Sequence, residues 1–108
     1  MTIDPNEAIN FMIKNAEAYA QAKADVTYLT EHRKTVKALG FQRSLKNTMA
    51  EKEADAYTTV EYATCVEGLR EAVAEAERLR WMLVAAQARV DCWRSMEASN
   101  RAVERATL

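Results

Sequence analysis

Beyond Pro5 this chain has no further proline, and its only glycines are Gly40 and Gly68. These two residue types are the strongest local breaks in regular structure, proline because it lacks an N–H and glycine because its backbone is free. The positions between are filled mostly by Ala, Glu, Arg, Lys, Leu and Met, which enter a helix at little free-energy cost. So little punctuation predicts an all-α protein made of few, long helices.

The apolar spacing points the same way. Ile9, Met12, Ile13, Ala16, Tyr19, Ala22, Val26, Leu29 and Val36 recur at three- or four-residue intervals and trace one stripe. From Tyr19 the steps alternate in heptad fashion through Ala22, Val26, Leu29, Arg33 and Val36. Asp4-Pro5-Asn6-Glu7 supplies a helix start, with Asp4 as cap and Pro5 at the first helical position. Helix 1 is predicted over about 5–39, stopped by Gly40 in a left-handed cap. A connector takes up about 40–49. Thr48 and Glu51 match a capping box and open helix 2, predicted over about 50–105 with a bend or break left open. Its stripe is Tyr62, Val66, Leu69, Val73, Ala76, Leu83 and Val90, flanked by Leu79, Ala86 and Trp93. Gly68 either admits a second helix closely or marks a bend.

The expected architecture is one helical domain over residues 1–108, a long two-helix antiparallel hairpin of coiled-coil-like character. At 1.5 Å per residue, helix 1 would span about 52 Å and helix 2 about 84 Å. The unmatched length of helix 2, with an apolar content weighted toward alanine, predicts completion by oligomerisation, with a dimer favoured.

Net charge is -1, but the charges come in blocks. Residues 1–31 carry five acids and two lysines, and 32–50 carry five bases and no acid. Residues 51–77 carry eight acids and two bases, and 78–108 six arginines and three acids. Opposite blocks can set the orientation of packed helices. The basic block, Arg33, Lys34, Lys37, Arg43 and Lys46, is also a candidate phosphate-contact surface. It lacks the aromatic platform of a single-strand binder, apart from Phe41.

Catalytic patterns are missing. There is no phosphate loop, dinucleotide fingerprint or nucleophile elbow. Glu67, Glu71 and Glu75 share a helical face, which reads as a solvated surface before it reads as a metal site. His32 is the only histidine, and Cys65 and Cys92 stand too far apart for a zinc pair. Both cysteines read as reduced packing residues. No enzyme activity, metal or cofactor is expected, and no apolar run is long enough to span a membrane. Arg80-Trp81 and Trp93-Arg94 combine the residue types that dominate protein interfaces. With Tyr57 and Tyr62 they form the predicted protein-binding set.

Glu51-Lys52-Glu53-Ala54-Asp55-Ala56-Tyr57, Leu79-Arg80-Trp81-Met82-Leu83 and Trp93-Arg94-Ser95-Met96-Glu97-Ala98 resemble segments of small uncharacterised helical proteins of tailed bacteriophages. The likeness runs from about His32 to Arg105. It implies action in the cytoplasm of a bacterial host, beside phage recombination or replication functions, and assigns no residue a role. The leading expectation is a non-enzymatic helical oligomer that binds a bacterial or phage protein. The alternative is a DNA-binding accessory factor using the basic block.

Overall fold

The computed structural model describes residues 3–107, and these form three helices: α1 (Pro5–Arg43), α2 (Met49–Tyr57) and α3 (Val60–Thr107). The protein is all-α, but it is a three-helix bundle and not the coiled-coil-like two-helix hairpin that the spacing predicted. The long second helix is divided at Thr58-Thr59.

Local chemistry explains the division. Thr58, Thr59 and Val60 are consecutive β-branched residues, whose χ1 is restricted in a helix. The Thr58 hydroxyl bonds back to the carbonyls of Ala54 and Asp55 at 3.2 and 3.1 Å, and the Thr58 N–H donates to Asp55 O at 3.1 Å. This closes α2 in a tightened last turn. Thr59 then caps α3, its Oγ1 accepting from the Tyr62 N–H at 3.1 Å.

The other helix starts are also capped. Asp4 Oδ1 accepts from the Asn6 N–H at 2.9 Å, and Thr48 Oγ1 accepts from the Glu51 N–H at 3.1 Å. Glu51 reaches back to the N–H of Asn47 at 3.4 Å. The predicted stop at Gly40 is corrected. Neither glycine has positive φ, and α1 runs on to Arg43. What Gly40 provides is room. A Cβ there would lie 3.1 Å from the Ala56 Cα and 3.4 Å from Thr59 Cγ2. Ala56 is wholly buried at that crossing.

The contacts divide the chain into two compact units: a central unit, Ala20–Glu77, and a terminal unit of Met1–Tyr19 with Arg78–Leu108. All three helices meet in the central unit. Leu29 of α1 lies beside Cys65 and Gly68 of α3, and Gly40 lies beside Thr59, so α1 and α3 are antiparallel there. Ser44 Oγ donates to Asp55 Oδ2 at 2.8 Å and ties the loop after α1 to α2.

In the terminal unit, Ala8, Ala86 and Val90 form a small buried cluster with Phe11 and Met12 packed on it, and Leu79 is also buried. The packed face of α3 keeps most of the predicted stripe, with Ala76 and Val90 buried and Tyr62, Leu69 and Leu83 half-buried, but departs from it at two valines and one cysteine. Val66 and Val73 are exposed, whereas Cys65, Ala76, Leu79, Ala86 and Val90 are buried.

Candidate functional site

The predicted protein-binding residues fall into two groups. In the central unit, Tyr57 and Tyr62 meet edge to face with ring centroids 5.3 Å apart. Lys37 Nζ stands 4.4 Å from the Tyr57 ring centroid and 3.2 Å from Glu53 Oε1. Hydrogen bonding to Tyr57, then to Glu53, raises the Lys37 ammonium above its ordinary pKa. This constellation ties α1 to α2.

Arg80, Trp81, Trp93 and Arg94 lie in the terminal unit. Trp93 is half-buried, and Arg80 and Arg94 are exposed. Trp81 is 59 % exposed, with the Arg80 guanidinium carbon 5.0 Å from its ring centroid. Trp81 opens the longest uncharged run in the chain, Trp81-Met82-Leu83-Val84-Ala85-Ala86-Gln87-Ala88. Along this run and the turn after it, α3 has two apolar faces. Leu83, Ala86 and Val90 face inward. Trp81, Val84, Ala85, Ala88 and Cys92, at i, i+3, i+4, i+7 and i+11, form an outer strip, and all five are exposed. At this level α1 adds exposed Ile9 and Ile13, either side of Phe11 and Met12. Residue type marks Trp81 and Arg80 in the sequence but not Val84, Ala85, Ala88 and Cys92. The uncharged run was the signal that could have found them.

Of the basic residues, Lys34 and Lys37 line one shallow groove with Phe41. Lys34 pairs with Glu31 at 3.3 Å and Lys37 with Glu53 at 3.2 Å. Arg33 is half-buried, Arg43 borders a groove, and Lys46 is exposed on the loop. That groove, about 1010 Å³ in the central unit, is lined by Leu29, Val36, Leu39, Val60 and Cys65. Tyr28 stacks on His32 at its edge with centroids 5.4 Å apart. The buried Cys65 thiol lies 3.8 Å from the Leu29 carbonyl oxygen, in donor geometry, and so is directed at the α1 backbone. Among the described residues no three His, Cys, Asp or Glu side chains are grouped to hold a metal ion, and no helix is long and apolar enough to cross a membrane.

No protein-family model, curated protein or solved structure matches the chain. The phage resemblance and its link to recombination find no support in these comparisons.

Proposed function

We propose that this chain is a non-enzymatic helical interaction module that docks a protein on the outer strip of α3 in its terminal unit. One observation carries the reading: the longest uncharged run of the sequence stays helical, with Trp81 and Val84 59 % and 47 % exposed. Clustered exposed apolar side chains on a helix mark interaction surfaces, and tryptophan contributes disproportionately when it is buried in one. Fully burying a side chain of this class is worth roughly 1.5–3 kcal/mol. Arg80 would then lie at the polar edge of the contact.

A photo-crosslinking residue at Val84 tests this reading, with the same residue at Val60 as an exposed control off the strip. In lysate, the Val84 probe should give a discrete protein adduct and the Val60 probe should not. Absence of any protein adduct at Val84 would overturn the reading.

A further inference from the structure

We infer that the occupant of the outer strip is a second copy of this chain, packed α3 against α3 in antiparallel sense about a two-fold axis midway between Ala85 and Ala88. The inference rests on the docking role proposed above and adds its partner and register.

Four observations carry it. The strip tapers, from the indole of Trp81 through Val84 to Ala85, Ala88 and Cys92. A two-fold axis between Ala85 and Ala88 places Trp81 of one copy opposite Cys92 of the other. The thick end of each strip then meets the thin end of its mate, and the alanines at the centre permit close approach. The middle of the strip is also uncharged, as an isologous contact requires, because every group at the axis meets a near-copy of itself.

The charges on the flanks match as well. Arg80 and Asp91 lie on the same edge of the strip, eleven residues apart along α3 by sequence number. In the antiparallel pairing that edge faces its own copy. Arg80 then comes within about two residues, or about 3 Å along the helix, of the partner's Asp91, and the pair occurs twice. Asp91 is exposed and already lies 3.7 Å from Arg94 Nη1, so the new cation joins a surface cluster. On the opposite edge, Arg89 lies nearer the partner's Met82 than its own copy.

The terminal unit also needs a second layer. Its buried residues are Ala8, Leu79, Ala86 and Val90, while the larger Phe11, Met12, Tyr19, Leu83 and Trp93 are only half-buried. A pair of helices with so little buried side chain is a weak independent unit, and a second copy is always present at the chain's own concentration.

Sedimentation equilibrium of the full chain tests the inference, with helix content followed by circular dichroism. The mass should rise with concentration from 12.2 kDa toward twice that value. Ala85→Glu should hold it at one chain with helix content retained. Arg80→Asp and Asp91→Arg are both exposed and keep the test informative should Ala85→Glu unfold. Each alone should weaken association at least tenfold, and the two together should restore it. A single-chain mass at every concentration would overturn the inference, as would single charge changes without effect or a double variant without recovery. With the Val84 photoprobe, an adduct only to a foreign protein would overturn self-association and leave the docking reading standing. No adduct of either kind would overturn both.

Discussion

Gly40 and Ala56 cross almost backbone to backbone: a methyl group at Gly40 would lie 3.1 Å from the Ala56 Cα. The obstacle is main chain, which cannot swing aside as the tip of a side chain can. Helix propensity favours alanine over glycine by about 1 kcal/mol. Here the contact should outweigh that gain, so Gly40→Ala is expected to destabilise, and Gly40→Leu to cost at least 1–3 kcal/mol, about the usual range for overpacking. Gly68 is the opposite case. A Cβ there meets only Leu29 Cδ1, at 3.9 Å. Gly68→Ala should therefore stabilise by about 0.4–1 kcal/mol. Urea unfolding of the variants checks the opposite signs.

Thr59 sets the start of α3. Thr59→Ala removes the acceptor for the Tyr62 N–H and should cost about 1 kcal/mol, with helix content unchanged. A more stable and more helical variant would mean that α2 and α3 had fused, and that the threonine break is not maintained by its caps.

The sequence allows a bend or break in helix 2 as one possibility, with Gly68 as a marker, but the break falls at the three successive β-branched residues Thr58-Thr59-Val60, which lie between two strongly helical stretches. The helix starts at Asp4-Pro5 and Thr48-Glu51 were legible because each is a local side chain–backbone bond. The end of α1 was not. Glycine after an amphipathic run signals a left-handed cap, but Gly40 answers to a distant neighbour, Ala56, which no local rule shows. The inward face of α3 was legible in part. Periodicity places Ala76 and Val90 in the stripe and Ala86 on its flank, and all three are buried, but it also places Val66 and Val73 there, which are exposed, and passes over Cys65. At the candidate site, Trp81 and Arg80 stood out by residue type. The strip around them emerges only once the inward face of α3 is known, because apolar residues there occupy both sides of the helix.

Lys37 gives the fold a pH dependence at the alkaline end. Its pKa is raised in the folded chain by hydrogen bonding to Tyr57 and Glu53. A cation whose folded pKa lies above its unfolded value contributes stability that is fully present below the unfolded value, 10.5, and is lost as pH rises through the folded one. Wild type should therefore lose more stability than Lys37→Met between neutral pH and pH above that value. Equal losses in paired urea titrations would show that the ammonium does not link α1 to α2.

The last stretch of α3 stands apart energetically. Every described residue from Arg94 to Thr107 is exposed. Helical segments of about this length are marginal in water without packing. Amide hydrogens past Ser95 should exchange much faster than those of Leu83–Val90 in native-state hydrogen exchange. Equal protection in the two segments would mean that the end of the helix is held by contacts.

The most direct test of the outer strip is the environment of Trp81. In a Trp93→Phe chain all indole fluorescence comes from Trp81, which is 59 % exposed in a single copy. As protein concentration rises, its emission should shift to the blue and acrylamide quenching should fall, with the midpoint matching the rise in mass. Emission and quenching that keep the values of a solvent-exposed indole at every concentration would contradict the account.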